Sequence, residues 1–517
     1  MSQPQDMILF TIGPVQSFIT AARRTQDLAV GSRLLSWLSQ KGLEFASRQG
    51  ATIVYPRLNT AAGANLPNRL VLLAPEGRGV NLADDLQCEI QRLWTEDLGG
   101  KIKAELIPIV QLWDDAAAGQ MEQALEIYWA VKPWDGQDTT YLPAYREASL
   151  GLNARKSLRA YPSSPQPGVK CTLCGIRSAL NKTDPKTDWE TLSVHYGSRI
   201  LRENERLCAV CAAKRLGYEA GFKPLDGVVH FPSTSDIAVA SFRTAIEKNR
   251  AALQQPAIAF LGALQDSQII ARSQNLDQGT FRNLDGDLFF KDFYRAGERV
   301  AEISTVTLSK DAQDKIVGCL QNLIDSLVEK KLGPPPNPYY AILVIDGDKM
   351  GELFDDPDGV YTGSPVTQKE QHKKISAALN CVAGRMAKDA GQKFQATVIY
   401  SGGDDALFFL PVDTLLSAAN DLRKVFVEEL TAEGFPGRHA SAGAAIVHHQ
   451  APLGRSLAAA RSAGAEAKDL YDRDALAVWL LRRSGEPRRA RLHWDQDLIA
   501  GLGEYRQLVA QGSISGA

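Results

Sequence analysis

The chain has 517 residues, 44% of them hydrophobic and 23% charged, with a formal net charge of −2. That length accommodates roughly three or four domains, and the near-neutral balance excludes a protein that meets nucleic acid through bulk charge alone. No apolar run approaches the ~18 residues of a membrane span. The opening M-S-Q-P-Q-D also lacks the basic start of a signal peptide, so a cytoplasmic protein without membrane partners is expected.

In chain order, Met7–Thr11 reads as a short apolar strand running into G-P-V-Q-S at Gly13–Ser17. Apolar residues at helical spacing from Phe18 through Leu28, Leu34 and Leu38 predict a helix over 18–47. Strands are expected at 52–55 and 69–73, a helix at 82–98 and a strand near 105–112. This βαββαβ order suggests a ferredoxin-like unit. The middle is less regular, with helical stretches at 236–253 and 311–331, and G-P-P-P-N-P at Gly333–Pro338 ends a helix and marks a boundary. The plan then recurs as strand 340–345, helix 368–390, strands 394–400 and 406–411, helix 414–431, strand 440–447, helix 454–470 and strand 475–481. An internal duplication is expected. Arg482–Arg491 holds five arginines and is either a phosphate-contacting patch or a solvated tail.

The cysteines number seven, an odd count that, without a secretion signal, argues against a disulfide framework. Cys171-x-x-Cys174 and Cys208-x-x-Cys211 are two knuckles whose four thiolates suit a tetrahedral, structural Zn²⁺; the alternative is four reduced, unliganded thiols. Cys88, Cys319 and Cys381 lie in helical patterns and read as packing residues. The expected fold class is therefore α+β. Two ferredoxin-like domains (1–130 and 336–490) flank a zinc-containing, mainly helical middle (131–335), with a short tail at 491–517.

The chemistry concentrates in Y-S-G-G-D-D-A-L-F-F-L-P, Tyr400–Pro411, which reads as a tight hairpin with two carboxylates at its tip. Strand 340–345 ends in D-G-D-K-M-G, and a ferredoxin-like sheet sets that strand beside the hairpin, so Asp346 joins Asp404 and Asp405. Converging carboxylates repel unless a hard cation such as Mg²⁺ or Mn²⁺ neutralises them. Gly402, Gly403 and Gly347 leave room for a nucleotide to approach the backbone, and Lys349 and Lys468 are candidates for phosphate charge. The plain alternative is that G-G-D-D is only a turn and Lys468 a surface lysine.

Three more stretches accompany these acids. They are L-F-T-I-G-P-V-Q-S-F-I-T-A-A-R-R-T-Q-D-L-A-V-G-S-R-L-L-S (Leu9–Ser36), F-P-S-T-S-D-I-A (Phe231–Ala238), and S-A-G-A-A-I-V-H (Ser441–His448) with A-R-S-A-G-A-E-A-K (Ala460–Lys468). Together they resemble the large polymerase/cyclase subunit of type III CRISPR effector complexes, in its Cmr branch, over roughly residues 7–486. The resemblance implies two palm, nucleotidyl-cyclase-like units with ATP between them. It implies a nucleotidyltransferase that makes cyclic oligoadenylate from ATP when target RNA binds, in the company of guide RNA and other effector subunits. Asp346, Asp404 and Asp405 match the family's catalytic, metal-binding acids. Nucleotide contacts are implied at Gly13, Pro14, Gln16 and Ser17, at Gly347, Asp348 and Lys349, at Ser401, Gly402 and Gly403, and at Lys468. The resemblance also implies a zinc site at the four paired cysteines.

The first unit carries Gly13 where the second has Asp346, and Asn59–Asn68 holds no acid, so one competent metal site per chain is expected. None of the seven histidines is followed by aspartate, so no HD nuclease is expected, and the family's C-terminal helical domain is reduced or absent. An idle structural subunit that helps hold guide RNA and neighbouring subunits is the second reading. A free-standing cyclase making a cyclic dinucleotide is a third, disfavoured by the knuckles and the paired units. Phe18 and Tyr400 read either as core residues or as surfaces for adenine to stack on, and neither is assigned, while Arg23, Arg24 and Arg33 are candidates to meet phosphate.

Overall fold

The computed structural model describes residues 3–58, 65–158, 167–182, 184–198, 200–225, 231–270, 279–295, 300, 306–356, 366–470, 472–482 and 484–494. Residues 59–64 of the predicted first-unit hairpin region and 495–517 of the predicted tail lie outside these.

The first sheet comprises β1 (Gln5–Gly13), β2 (Thr52–Tyr55), β3 (Arg69–Pro75) and β4 (Glu126–Trp134), antiparallel in the order β2-β3-β1-β4. Strand periodicity sends alternate residues of β1 into two cores. Ile8, Phe10 and Ile12 pack with α2 (Thr25–Arg48) and α3 (Gly79–Arg92). Met7 and Leu9 join a core that also contains Leu343 and Ile345 of the second unit. The two units therefore share buried apolar surface.

Two predicted elements differ. The strand expected at 105–112 is instead a helix, α4 (Gly99–Val110), with Ile102 and Leu106 buried one turn apart. A short apolar run fits either period, and here the helical one wins. The fourth strand is E-I-Y-W-A-V-K-P-W, Glu126–Trp134, so the boundary expected at 130 falls inside β4. The helix predicted over 18–47 is broken at Ala21–Arg24 into α1 (Gln16–Thr20) and α2.

The second sheet runs β10-β9-β8-β5-β7-β6, from β5 (Tyr339–Gly347), β6 (Thr397–Gly402), β7 (Asp405–Pro411), β8 (Ala440–His448), β9 (Ala475–Leu480) and β10 (Arg488–His493). Its β8-β5-β7-β6 portion repeats the order β4-β1-β3-β2, the architecture expected of a duplicated ferredoxin-like unit. Part of the arginine run is the edge strand β10, which straddles the boundary expected at 490. Arg489 lies 4.1 Å over the Trp479 ring and Arg491 pairs with Glu466.

Between the sheets the chain is mainly helical. It contains α5 (Asp138–Ser157), α6 (Ala209–Leu216) and the helices Ala240–Lys248, Arg250–Asp266 and Lys310–Glu329, which enclose a separate core around Phe242, Phe260 and Phe289. Among the described residues no helix is long and apolar enough to cross a membrane.

Candidate active site and cysteine knuckle

The hairpin forms as its sequence dictates. β6 and β7 are joined by Gly403 and Asp404, and Gly403 takes φ +67°, which glycine adopts without steric cost. β5 lies beside β7 in a register that sets Asp346 directly opposite Asp405. On its other side β5 pairs Asp346 with Ser441 of β8. The Gly347 N–H donates to the Asp404 carbonyl at 2.9 Å, tying the hairpin tip to the end of β5.

Three carboxylates therefore share one sheet end, and their charges are felt. The Asp404 carboxyl is pushed up to about 6, by desolvation first and the Asp346 charge second. Asp405 is pushed up to about 8, by desolvation and then by Asp404 and Asp346. Asp405 stands at the mouth of a cleft, walled by protein yet reachable by water. Lys468, from α7 (Leu453–Asp469), reaches Asp346 Oδ2 at 2.5 Å, and the Tyr400 hydroxyl reaches Asp405 Oδ2 at 3.4 Å. Carboxylates gathered at one sheet end, and only partly neutralised by one lysine, are oxygen donors of the kind a hard divalent cation takes.

Asp404 and Asp405 line a cavity of about 300 Å³ whose opposite wall belongs to the first unit. Val15, Ile19, Ser32, Tyr55, Asn65 and Arg69 contribute to that wall, with Tyr145 of α5. The loop before β3 docks on the hairpin itself. Asn65 N–H donates to the Ser401 carbonyl at 2.7 Å, and Ser401 N–H donates to Asn65 Oδ1 at 3.3 Å. Arg69 donates to Ser149 Oγ at 2.9 Å, while its buried Nε has no hydrogen-bond partner. Tyr55, Asn65, Arg69 and Tyr145 were not singled out from sequence. Tyr55 and Arg69 sit at strand ends, Asn65 in the loop before β3 and Tyr145 within α5, and no shared local pattern marks them.

The predicted contact residues divide. Gly347, Ser401, Gly402, Gly403 and Lys468 gather at the acids. Of residues 13–17, only Val15 lines the cavity, while Gln16 and Ser17 are exposed beside it. Lys349 is exposed and 3.9 Å from Glu352. Asp348 is a correction: its buried carboxylate accepts from Ser441 Oγ at 2.8 Å and from the Asp474 N–H at 3.0 Å, fastening β5 to β8. Ser401 Oγ likewise donates to the Ala383 carbonyl at 2.9 Å. Phe18 is buried edge-on against Trp94 at 5.7 Å, so it is a core residue, whereas Tyr400 does line the cavity. Arg24 is spent on Glu205 at 3.4 Å and the Ser198 carbonyl at 3.1 Å rather than presented to phosphate. Replacing Asp348 by asparagine is expected to cost about 1–3 kcal/mol, read as a lower Tm with unchanged ATP affinity. Weakened ATP binding at an unchanged Tm would restore the ligand role.

Cys171, Cys174, Cys208 and Cys211 bring their sulfurs within 4.8 Å of one another, with Cys174 and Cys208 at 3.9 Å. A tetrahedral thiolate site with ~2.3 Å bonds needs sulfur–sulfur edges of about 3.8 Å, so the four fit such a metal ion. The Cys174 thiol is driven down, chiefly by the Cys171 hydrogen bond, while Cys208 and Cys211 are driven up, chiefly by Cys171.

Comparison with known proteins agrees with this architecture. Residues 7–98 match the family described as "CRISPR-associated protein Cmr2, N-terminal", and residues 339–477 match "Cas10/Cmr2, second palm domain". The CRISPR system Cmr subunit Cmr2 of Pyrococcus furiosus is 24% identical, over 98% of this chain and 64% of its own length. The chain thus spans a little under two thirds of that curated relative. Among solved structures, the apo type III-B Cmr-beta complex contains a chain with TM-score 0.68 and 14% identity, covering 99% of this chain and 74% of that one. The Cmr-beta complex bound to cognate target RNA gives TM-score 0.61 at 14% identity, covering 94% and 70%. The N-terminal and second-palm matches fall in order on the two ferredoxin-like units, so the chain is similar to the Cas10/Cmr2 family in both.

Proposed function

We propose that this chain is a subunit of a type III CRISPR RNA-guided effector complex and that its second palm makes cyclic oligoadenylate from ATP when target RNA binds. The observation that carries this reading is the in-register pairing of Asp346 with Asp405, beside Asp404, at the edge of a cavity walled by the first unit. Asp346, Asp404 and Asp405 would hold Mg²⁺ or Mn²⁺, which when bound activates an attacking hydroxyl and neutralises phosphate charge. The remaining roles belong to this chain's own side chains. Lys468, already beside Asp346, adds positive charge where a phosphate would lie. Arg69 and Asn65 offer donors from the opposite wall, and Tyr400 orients Asp405. The cavity's ~300 Å³ is at the lower bound of small-molecule sites, and Asp405 stands at its water-reachable mouth. In the same reading Zn²⁺ occupies the four cysteines, and other effector subunits and guide RNA are the partners.

The test is ATP turnover by the assembled complex with guide RNA, cognate target RNA and Mg²⁺ or Mn²⁺, with products identified by mass spectrometry. Target-dependent cyclic product that disappears in Asp404→Ala/Asp405→Ala is expected. No product from the unaltered complex, with normal RNA binding, leaves the chain as a structural subunit.

A further inference from the structure

α1 supplies Ile19, and the turn just before it Val15, to the cavity wall facing Asp404 and Asp405. It is five residues long, has no side-chain cap, and its C-terminal carbonyls would be orphaned inside the protein. They are not orphaned, because Lys214 meets them. This lysine is 2% exposed, and its Nζ donates to the carbonyls of Phe18 at 2.7 Å and Ala21 at 2.7 Å, with Ile19 at 3.5 Å. Its ammonium also lies 4.9 Å over the Phe18 ring. A buried cation at a helix C-terminus complements the helix dipole as well as the carbonyls.

Lys214 comes from α6, whose N-cap is Cys208 and which contains Cys211. Its neighbour Arg215 grips the start of α2, donating to both oxygens of Asp27 at 2.7 and 2.9 Å, and to Glu205 at 2.6 Å. Asp27 in turn accepts from the backbone N–H groups of Arg23 and Arg24 at 3.0 and 3.1 Å. The break between α1 and α2 is thus held on both sides by one short helix whose first turn carries two of the knuckle's four thiols. Gly31 of α2 makes room for this: a Cβ there would stand 3.2 Å from Lys214 Cε and 3.4 Å from Nζ.

We infer that Lys214 is a positioning residue that ties the α1 wall of the cavity to the cysteine knuckle, so that metal binding at the knuckle sets the shape of the nucleotide side of the cleft. The consequence for nucleotide rests on the function proposed above; the mechanical tie does not. When the knuckle holds its metal, Cys208 and Cys211 fix α6, and α6 fixes residues 16–24. When the metal leaves, α6 loses its anchor and the carbonyls of α1 lose their cation, while Asp346, Asp404 and Asp405, on β5 and the β6–β7 hairpin, keep theirs.

The experiment is hydrogen–deuterium exchange on the full chain, read on peptides covering 16–24 and 397–411, with bound metal measured in parallel. Chelation is expected to raise exchange at 16–24 at least tenfold and leave 397–411 unchanged. Lys214→Met is expected to reproduce that rise with metal content unaltered, and Gly31→Ala to do so more weakly by crowding the ammonium from outside the knuckle. Should Lys214→Met fail to fold, Gly31→Ala and the chelation series decide. Unchanged exchange at 16–24 in folded, metal-loaded variants overturns the proposal. ATP affinity separates the two layers. About tenfold weaker ATP binding by Lys214→Met, with Mn²⁺ affinity at the acids unchanged, supports the positioning role, and equal ATP binding refutes it. An unaltered chain that binds no ATP refutes the proposed function, and the exchange result still decides the tie.

Discussion

Asp405→Asn is expected to make the metal-free protein more stable at pH 8 and, in the assembled complex, to abolish ATP turnover. The sign follows from the direction of the shift. Asp405 is pushed up to about 8 in the folded chain, above the ~4 of an unfolded aspartate. Its ionised form is therefore disfavoured by folding, and the metal-free protein loses stability as pH rises from about 4 through 8. Asparagine keeps the shape and removes the charge. The Tm difference between variant and wild type should be near zero below about pH 4, grow from there through about pH 8 and level off above. Water reaches Asp405, so screening reduces the gain to about 1 kcal/mol, or ~2 °C. Divalent cation should invert the order, because it stabilises only the chain with its full acid set. Turnover should fall by about 10³ or more, as expected when charge stabilisation at the reacting group is removed. A wild-type protein whose Tm is indifferent both to Mn²⁺ and to this substitution would mean that the hairpin carboxylates are not strained against one another.

How much of this was legible in sequence depends on the distance over which each feature is encoded. The hairpin was legible because turn chemistry is local: two glycines and two aspartates between apolar runs specify both the turn and its charge. Asp346 was legible because a ferredoxin-like order dictates which strand lies beside that hairpin, and the observed register obeys it. The knuckle was legible because paired C-x-x-C spacing is itself the ligand geometry. By contrast, β4 was misplaced because a short apolar run at 105–112 satisfies both periods, and α4 takes the helical one. Asp348 was assigned to ligand by the family resemblance, as part of D-G-D-K-M-G. Its carboxylate is instead committed to Ser441, 93 residues away in sequence. The contacts of Lys214 with α1 and of Asn65 with Ser401 join segments 196 and 336 residues apart, and no local pattern announces them. Part of the acid site was thus readable, and the opposite wall of its cavity was not.

That wall makes Gly402→Ala the most discriminating structural substitution. From sequence, Gly402 leaves space for a nucleotide. In the fold, a Cβ at Gly402 would stand 2.4 Å from the Asn65 carbonyl oxygen and 3.0 Å from its carbonyl carbon. Those are backbone atoms of a loop held by Ser401 on the hairpin and by Ser36, which accepts from the Leu66 N–H at 2.8 Å. They cannot swing aside as a long side chain does, so alanine must lift the loop carrying Asn65, Leu66 and Pro67 from the hairpin. The expected cost is about 1–3 kcal/mol, as for other overpacked contacts, with a Tm lower by several degrees. ATP affinity should fall as the wall withdraws, while Mn²⁺ binding persists, because β5 and β7 set the acids without that loop. Gly403→Ala is the control. Its φ of +67° costs about 1 kcal/mol in alanine, and its Cβ meets side chains rather than backbone, the Tyr55 hydroxyl at 3.2 Å and Pro67 Cγ at 3.3 Å. If Gly402→Ala instead weakens ATP binding at an unchanged Tm, the glycine serves the ligand alone and the two units do not close on each other at Asn65.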